Sequence, residues 1–406
     1  MNRVERHIVI NKEVDKLCFL SKNLYNYANY CIRQSFCKTS KIPNEYELTG
    51  KLCKRNQKDY KALPAQTAQQ VIKLLYKNWK SFFKAIKDYK KNPKKYLGRP
   101  KLPKYKDKDG RNIVIFTNQQ CRIKDGYIHF VKNVLSPLKT KVQDEQLQQV
   151  RVIPEATCFI IEVVYRKEII EHENLNYENF LSIDLGVNNL ATCFNNVDSS
   201  SFIVNGRPLK SINQYSNKLK AKYMSYVGDK GTSNNIKRII LKRNNIIQNY
   251  LHHVSKYIVQ YCIKNSIGTI IIGHNNCWKQ EIKLGRTRKN QKKNNQNFVS
   301  IPFNNLIQQI QYKGEEHSIK VIVTEESYSS KIDHFAYETM EHHDKYLGKR
   351  VYRGLFKTSD NKCINCDVNG AIGIARKVIG DSVIKQIIDR GFVSNPIKIN
   401  TFNKGI

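Results

Sequence analysis

Two aspartate motifs, about half a chain apart, hold residues whose types can do chemistry together. Asp184 ends a short apolar run and is followed by Gly186, which predicts a carboxylate at the tip of a buried strand with bare backbone beside it. Asp367 opens a stretch of helical character from Val368 to Val378, as a first-turn or N-cap acid does. Carboxylates from separate elements are what a two-metal site needs to hydrolyse a phosphodiester, and Mg²⁺ prefers such oxygen ligands.

A third acid is expected from the apolar run Ile319–Thr324, which has the pattern of a strand and is followed by Glu325 and Glu326. Adjacent side chains at the end of a strand point to opposite faces of a sheet, so only one of these two carboxylates can reach the site. The pattern alone leaves open which of them does. Taken singly, each acid can equally be a solvated surface charge or a helix cap.

The charge of the chain indicates a polyanionic partner. Lys and Arg number 70 against 34 Asp and Glu in 406 residues, a net charge of +36 that is spread along the chain. Such an excess repels itself unless a polyanion offsets it, and nucleic acid is the leading candidate. The 23 Tyr and 16 Phe provide stacking surfaces for bases.

The cysteines and the N-terminal segment predict where the protein acts. The 11 cysteines are odd in number and mostly scattered singly, which favours free thiols in a reducing compartment over a disulfide framework. The first residues lack the apolar core of a signal peptide, and no run approaches the roughly 18 apolar residues of a membrane span. We therefore expect a protein that is not secreted, has no membrane partner, and lies in the cytoplasm with the nucleoid.

The periodicity of apolar residues predicts the helices and strands that must position these acids. It indicates a multi-domain fold with β and α/β parts. Helical spacing covers 12–37 and 63–90, and a basic connector covers 91–111. A change to period two then predicts a small β-barrel-like domain with the helices inserted after its first strand, and Asp125-Gly126 is a hairpin turn signal within it. From about 176 the pattern is α/β: strands over 180–185, 190–194, 201–205, 269–272 and 319–324, and helices over 234–264 and 303–317.

An ordered series of motifs runs over nearly the whole chain. The motifs are Asn23-Leu-Tyr-Asn-Tyr-Ala28, Leu63-Pro-Ala-Gln-Thr-Ala-Gln-Gln70, Leu97-Gly-Arg-Pro-Lys-Leu-Pro-Lys-Tyr105, Ile183-Asp-Leu-Gly-Val-Asn-Asn-Leu-Ala-Thr192, Asn297-Phe-Val-Ser-Ile-Pro-Phe303, Glu325-Glu-Ser-Tyr-Ser-Ser-Lys331, Gly348-Lys-Arg-Val-Tyr-Arg-Gly-Leu355 and Asp367-Val-Asn-Gly-Ala371. With these motifs the chain resembles the TnpB family of RNA-guided nucleases, which bacterial and archaeal transposons encode and which is akin to Fanzor proteins and type V CRISPR effectors.

The resemblance implies a bilobed nuclease. A wedge β-barrel would comprise 1–10 and 96–175, a helical recognition insert 11–95, and a RuvC-type, RNase H-like nuclease domain 176–326 and 366–406. Residues 327–365 would form an insert that binds the target nucleic acid. The implied activity is Mg²⁺-dependent DNA cleavage with two ions, next to a short DNA motif. The implied partners are a guide RNA from the transposon end and a double-stranded DNA target.

The resemblance also assigns the three acids. Asp184 falls on the first catalytic aspartate of the family and Asp367 on the last. Many members carry Glu at the end of the strand that here reads Ile270-Ile-Ile-Gly273, so Gly273 is a departure. Other members take this acid from the next strand, three residues before a Thr/Ser-Ser pair. Glu326 stands at that position, and the resemblance therefore favours Glu326 over Glu325 as the third Mg²⁺ ligand.

A second departure concerns zinc. Many family members have two Cys-x-x-Cys pairs before the last aspartate, and here only Cys363 and Cys366 remain, so the zinc motif is degenerate. His334, His342 and His343 make a mixed His/Cys site arithmetically possible. Because Cys366 abuts Asp367, it is better explained as a small buried residue beside the active site. We predict no zinc.

Several polar residues are candidates for nucleic-acid contacts. Glutamine can pair bidentately with adenine, tyrosines can contact bases or backbone, and cations can hold phosphates, which sets affinity rather than sequence. An ordinary polar helix face is an equally good explanation for the glutamines and tyrosines. The candidates are Tyr25, Tyr27, Gln66, Gln69, Gln70, Arg99, Lys101, Lys104, Lys283, Arg286 and Arg288.

The sequence leaves other functions open. A guide-dependent DNA-binding repressor that has lost its nuclease would lack at least one acid. This alternative stays open because Gly273 stands where many family members carry Glu. A strand-transferring transposase would be distinguished by joined rather than broken DNA ends, and a transposase accessory protein is a further alternative. The intact Asp184 and Asp367 favour the enzyme.

Overall fold

The computed structural model describes residues 1–228, 231–275, 296, 298–352, 354–389 and 395–400. The chain divides into two units, Met1–Lys167 and Glu168–Ile406. No helix within these described ranges is long and apolar enough to cross a membrane. The finer domain boundaries that the resemblance implies stay a prediction.

The strands of the N-terminal unit form two antiparallel sheets. The first has the order β1-β7-β6-β2 and the second the order β3-β4-β5. Their bounds are β1 Asn2–Val9, β2 Val114–Thr117, β3 Cys121–Lys124, β4 Tyr127–Phe130, β5 Leu138–Lys139, β6 Leu147–Pro154 and β7 Phe159–Arg166. Asp125 and Gly126 both have positive φ between β3 and β4, which confirms the predicted hairpin turn.

Four helices of this unit lie between β1 and β2, where the pattern predicts two, over 12–37 and 63–90. They are α1 Lys12–Thr39, α2 Glu45–Lys54, α3 Lys58–Lys61 and α4 Ala65–Lys91. The Asn11 side chain caps α1 by accepting from the Glu13 N–H, and Pro64 is the N-cap residue of α4. The α4 residue Trp79 is fully buried, and its Nε1 donates to Asn29 Oδ1 of α1 over 3.1 Å.

A six-stranded sheet organises the C-terminal unit, and its order is β12-β11-β8-β9-β10-β16. β8, β9 and β10 are antiparallel neighbours, whereas β11 runs parallel to β8 and β12 parallel to β11. The strands are β8 Asn176–Leu185, β9 Asn189–Asn195, β10 Ser201–Asn205, β11 Ile267–Gly273, β12 Lys320–Thr324 and β16 Ile397–Ile399. The α/β pattern predicted from residue 176 onward is confirmed.

Helices cover both faces of this sheet. They are α5 Arg207–Val227, α6 Asn234–Lys264, α7 Phe303–Glu316, α8 Cys366–Ile379 and α9 Ser382–Asp389. Leu181 and Ile183 of β8 belong to the core that includes residues of α6 and α7. Phe180 belongs instead to the core built with α8 and α9. Because side chains alternate along a strand, Asp184 shares the face of Phe180 and is directed towards α8.

A small antiparallel sheet leads into α8. Its strands are β13 Lys349–Tyr352, β14 Leu355–Lys357 and β15 Cys363–Asn365, in the order β13-β14-β15. Phe356, Ile364 and Cys366 form its buried core. Since β15 continues directly into α8, this sheet helps to set the position at which α8 begins.

Candidate active site

Asp184 lies at the end of the central strand β8 and against the first turns of α8. It pairs with Thr192 of β9 across the sheet. A β-carbon at Gly370 would lie 2.7 Å from Asp184 Oδ2, so the carboxyl occupies the space that a larger residue would need there. Gly370 follows Asp367 by three residues, which places both on the same face of α8. The first and last acids of the chain are thus brought to the same place.

Asp367 is held in the first turn of α8. The Asn365 side chain caps this helix by accepting from the N–H groups of Asp367 and Val368, over 2.9 and 3.3 Å. A carboxylate in this turn is stabilised by the positive end of the helix dipole. Asn189, which begins β9, donates from Nδ2 to Asp367 Oδ2 over 2.6 Å and so fixes the orientation of the carboxyl group.

Glu326 and Glu325 follow β12 and have opposite surroundings, as expected for adjacent residues. Glu325 is exposed and accepts from Lys377 Nζ over 2.7 Å and from the Ser327 N–H. Glu326 is half-buried, and its Oε2 is buried with no hydrogen-bond partner among the described residues. The Glu326 backbone is anchored, because its N–H donates to Asn275 and its carbonyl accepts from Ser329.

The Asp184 carboxyl is influenced electrostatically by the other two acids. Burial raises the pKa of Asp184 well above its usual value, and the charges of Glu326 and Asp367 raise it further, while Arg350 partly opposes this. Burial also raises the pKa of Glu326, to about 7, with a further contribution from Glu325 that Lys377 partly offsets. By contrast, the pKa of Glu325 is lowered, because its hydrogen bonds from Lys377 and Ser327 outweigh the effect of partial burial. Glu326, not Glu325, therefore shares the environment of Asp184.

The donor set fits a divalent cation in its chemistry, although the side chains do not stand in ligand geometry. Within the described residues, no group of three or more His, Cys, Asp and Glu side chains is arranged closely enough to hold a metal ion. The buried, unpartnered Glu326 Oε2 and the mutual repulsion with Asp184 are features that a divalent cation would relieve. All three groups are carboxylates, as Mg²⁺ prefers.

Two residues that sequence reasoning did not single out complete the site. Asn189 lies within the Asp184 motif, and its spacing alone does not reveal its contact with Asp367. Arg350 lies on β13, and its Nε donates to Cys366 Sγ over 3.1 Å. The Arg350 charge lowers the pKa of Asp184, so this exposed guanidinium lies close to the acids.

The Gly273 position lies beside Glu326. A β-carbon at Gly273 would lie 3.2 Å from Glu326 Cβ and only 2.4 Å from Ile374 Cδ1 of α8. Ile374 is fully buried, so it has little room to move aside. An acid at the end of β11 would require Ile374 to move, whereas Glu326 of the neighbouring strand reaches the same region without this clash.

The Gly273→Glu variant is expected to be less stable than the wild-type protein by about 1–3 kcal/mol, because overpacking and burial of a carboxylate both oppose folding. Combined with Glu326→Gln, it is not expected to restore any activity that Glu326 supports. Thermal and denaturant unfolding measure the first effect. Adding Ile374→Ala removes the obstructing side chain. If Gly273→Glu lowers the free energy of unfolding by the same amount in the Ile374→Ala protein as in the wild-type protein, Ile374 is not the cause.

Three of the five residues considered for zinc, namely His334, His343 and Cys366, have hydrogen-bond partners. His334 is fully buried, and its Nε2 donates to the Ser329 carbonyl over 2.7 Å. His343 Nε2 lies 2.8 Å from the Thr339 carbonyl. Cys366 is buried beside Asp367 and accepts from Arg350, as the small-residue explanation requires, whereas Cys363 is exposed. The expectation of no zinc stays a prediction.

The candidate nucleic-acid residues differ widely in exposure. Arg99, Lys101 and Lys104 are exposed, and 39% of Tyr27 is accessible. Tyr25 is only 3% exposed, and its hydroxyl accepts from Asn78 Nδ2 over 3.0 Å. The other basic candidates, Lys283, Arg286 and Arg288, lie outside the described residues.

The glutamines at the start of α4 are partly engaged within the protein. Gln66 donates from Nε2 to Gln119 Oε1 over 2.7 Å and accepts from the Thr117 hydroxyl through Oε1. Gln69 is exposed, and Gln70 is half-buried. Gln119 is therefore a further exposed amide on the same surface, which the sequence patterns did not indicate. A role for these amides in reading bases stays a prediction.

Comparison with known proteins places these features in a family context. Residues 159–279 match the family model OrfB_IS605, described as a probable transposase. Residues 303–374 match the Cas12f1-like TNB domain. These two matched regions contain the motifs of all three acids, and the resemblance to the TnpB family that the motifs indicate is confirmed. No curated protein matches the chain.

The chain is similar to solved structures, and one of them shares its fold. The chain aligns with a Cas12f1-sgRNA-target DNA complex over 89% of its own length and 82% of that chain, with 16% identity and a TM-score of 0.54. It also aligns with the mini-RNA-guided endonuclease CRISPR-Cas_phi3 over 98% of its length and 94% of that chain, with 8% identity and a TM-score of 0.47. The first of these likenesses supports the combination of α/β and β sheets described above.

Proposed function

We propose that this protein is an RNA-guided DNA endonuclease of a transposable element, which cuts DNA next to a short motif by Mg²⁺-dependent phosphodiester hydrolysis. The observation that carries the proposal is the convergence of Asp184, Glu326 and Asp367 at one end of the central sheet. Three carboxylates from distant parts of a strongly basic chain are what metal-dependent cleavage of a polyanion requires.

The sheet topology supports a RuvC-type assignment of the C-terminal unit. Three antiparallel strands are followed by two strands parallel to the first, in the order β10-β9-β8-β11-β12, which is the arrangement of RNase H-like nucleases. Asp184 is the next-to-last residue of the central strand of this set, and Glu326 lies two residues after the last strand, β12. In the N-terminal unit, the antiparallel sheets would serve as the wedge and the helices between β1 and β2 as the recognition insert.

The reaction would depend on how the chain holds its carboxylates. Asp184, Glu326 and Asp367 would hold two Mg²⁺ ions, which when bound supply Lewis acidity and a nucleophilic water for attack on the phosphodiester. Asn189 fixes one oxygen of Asp367 by donating to it, and the other oxygen remains available as a ligand. Asp184 and Glu326 must both give up their protons to bind the cations, so their raised pKa values make protons compete with the cations for these carboxylates.

Arg350 would contact the scissile phosphate. Its guanidinium is exposed and close enough to Asp184 to affect the Asp184 pKa. The hydrogen bond from its Nε to Cys366 fixes the base of the guanidinium, which leaves the two terminal nitrogens for phosphate oxygens. A cation here would stabilise the negative charge that develops during hydrolysis.

The Arg350→Ala variant is expected to cleave roughly 10²–10³-fold more slowly, because a fixed positive charge is lost next to the reacting phosphate. Arg350→Lys should recover only part of the rate, since an ammonium lacks the bidentate geometry of guanidinium. Single-turnover cleavage rates measure both effects. Lys349→Ala, on the same exposed strand, is the matched control, and equal rates for Arg350→Ala and Lys349→Ala would remove Arg350 from the site.

The partners proposed are a guide RNA derived from the transposon end and a double-stranded DNA target. The net charge of +36 supports binding of two polyanions, and the Cas12f1 complex of the same fold contains a guide and target DNA. In this scheme base pairing supplies sequence recognition, and the protein supplies charge, motif recognition and cutting. Action in the cytoplasm, on the nucleoid, follows from these partners.

Purification from cells that carry the native locus tests this function. We expect the protein to retain a discrete RNA from the transposon end, and this RNA to direct breaks in plasmids that carry a matching target beside one short motif. Guide-dependent binding without breaks would instead identify a repressor. Joined DNA ends would identify a transposase. Absence of any specific RNA would contradict the proposal.

A further inference from the structure

A cavity of about 520 Å³ lies within the N-terminal unit, between α4 and the chain from Pro100 to Lys106. Asn78, Ser81, Phe82 and Ala85 of α4 line one side. Their spacing of three, four and seven residues from Asn78 places them on one helix face. The volume falls in the range of pockets that bind small molecules and cofactors.

The opposite wall is an extended segment that α1 holds in place. Asn26 bonds to both main-chain groups of Lys106, accepting from its N–H over 2.8 Å and donating to its carbonyl over 2.9 Å. Asn29 and Arg33 both donate to the Pro103 carbonyl, over 3.0 and 2.6 Å. The segment therefore has a fixed backbone although it is neither helix nor strand. A wall of this kind is preorganised for a ligand.

The lining combines cations with apolar and aromatic surface. Lys101, Lys104 and Lys106 line the cavity and are exposed. The lining lies wholly within the described residues and contains no acid. Phe82 and the two Pro residues of the segment supply apolar surface. Cations at the mouth of an apolar cavity attract an anion that carries an aromatic or apolar body.

Tyr25 contributes to this site in a way that its sequence context does not suggest. Its side chain is only 3% exposed, so it supports the floor of the cavity with little free surface, and the Lys106 ammonium lies 5.4 Å from the ring centroid. The Asn78 amide donates to its hydroxyl and so orients it. The exposed Asn78 side chain, positioned by this hydrogen bond, offers amide groups to the polar edge of a ligand.

We propose that this cavity binds a single unpaired nucleotide of the bound nucleic acid, with the base inside and its phosphate on Lys101 and Lys104. A base that remains paired and stacked in a duplex cannot enter a cavity of this size, so the nucleotide must be unpaired or extruded. The site anchors one point of the strand independently of cleavage. The inference rests on the proposed function for its nucleic-acid partner. The experiment decides whether the strand that supplies the nucleotide, here called the source strand, is RNA or DNA.

The test uses the full-length protein and single strands of about 12 nucleotides, made either as RNA with 4-thiouridine or as DNA with 4-thiothymidine. The cavity-filling variant Ala85→Leu is expected to lower the affinity for the source strand about 10-fold, since one base stacked on aromatic surface contributes about 1–3 kcal/mol. Near-ultraviolet cross-links should map to Phe82 or Tyr105 in the wild-type protein and disappear in Ala85→Leu. Affinity for a fully paired duplex of the same sequence should not change.

Two pairs of variants make the result decisive. Lys101→Ala should weaken strand binding more than Lys84→Ala, because both lysines are exposed but only Lys101 lines the cavity. If Ala85→Leu does not fold, Ser81→Val narrows the same cavity from an exposed position. Cross-links outside the lining, or equal affinities of the wild-type and filled proteins for both strands, would overturn the proposal.

Failure of this inference is distinguishable from failure of the proposed nuclease. The Asp184→Asn variant should retain the cross-links and the effect of Ala85→Leu although it does not cut. If the wild-type protein cuts DNA under guide direction but Ala85→Leu does not change the affinity for single strands, the cavity assignment alone is rejected. Normal cross-links in a protein that never cuts DNA would reject the nuclease alone.

Discussion

The Asp184→Asn variant is expected to lose guide-directed DNA cleavage by at least about 10³-fold, which corresponds to roughly 4 kcal/mol in the activation barrier. Asp184 is the next-to-last residue of the central strand β8 and is influenced electrostatically by both other acids, so its loss would leave only two of the three carboxylates at the site. Asparagine has nearly the same shape but lacks the charge that a divalent cation requires. Cleavage of a plasmid target by the purified ribonucleoprotein measures the effect.

Binding of the guide RNA should be unaffected by this substitution. The amount of RNA that co-purifies with Asp184→Asn, and the thermal unfolding of the protein, are the two controls. Asp198→Asn is a matched substitution, because Asp198 lies in the β9–β10 connection and interacts with Ser200 and Asn195 rather than with the acids. Cleavage by Asp184→Asn at a rate near that of Asp198→Asn would show that Asp184 is not a catalytic ligand.

The Glu326→Gln variant is expected to lose cleavage to a similar extent, whereas Glu325→Gln should cut at nearly the wild-type rate. The two side chains are adjacent in sequence, but only Glu326 has a buried, unpartnered oxygen and affects the Asp184 pKa. Glu325 is already paired with Lys377 at the surface. An inactive Glu325→Gln protein beside an active Glu326→Gln protein would transfer the role to Glu325.

Without metal, Glu326→Gln should also stabilise the fold at a pH above 7. The folded-state pKa of Glu326 is about 7 against an ordinary value of 4.5, so the unfolded chain ionises first and stability falls as the pH rises between these values. Glutamine removes this effect, and we expect a gain of about 1–3 kcal/mol above pH 7. The gain should vanish below pH 4.5. Denaturant unfolding in chelator, at both pH extremes, measures it, and a pH-independent difference would contradict the assigned environment.

The elements with strong burial patterns could be predicted from the sequence. The helix Asn234–Lys264 has a continuous apolar face, and its predicted bounds agree with the structure. The helix Arg207–Val227 was not predicted, because only Leu209 and Asn213 are buried along it and the periodicity is correspondingly weak. The strand Lys349–Tyr352 was missed for the same reason, since all four residues are exposed.

The acids of the site could be predicted from strand ends and family motifs, but the residues around them could not. Strand alternation explains why one of Glu325 and Glu326 faces Asp184, but only the packing of Ile374 against Gly273 shows why the acid does not come from β11. Arg350 was not predicted because it lies on a short exposed strand. Its proximity to Asp184 depends on how the small sheet β13-β14-β15 leads into α8. Contacts between residues so far apart in sequence leave no local pattern.

Anomalous X-ray scattering from crystals grown with Mn²⁺, with guide RNA and target DNA bound, would test the central claim most directly. The three-carboxylate site predicts anomalous peaks within ligand distance of the Asp184 carboxyl, shared with Glu326 and Asp367, and none there in Asp184→Asn crystals. Mn²⁺ bound elsewhere, with Asp184 uncoordinated while the wild-type crystals still contain cut DNA, would contradict it.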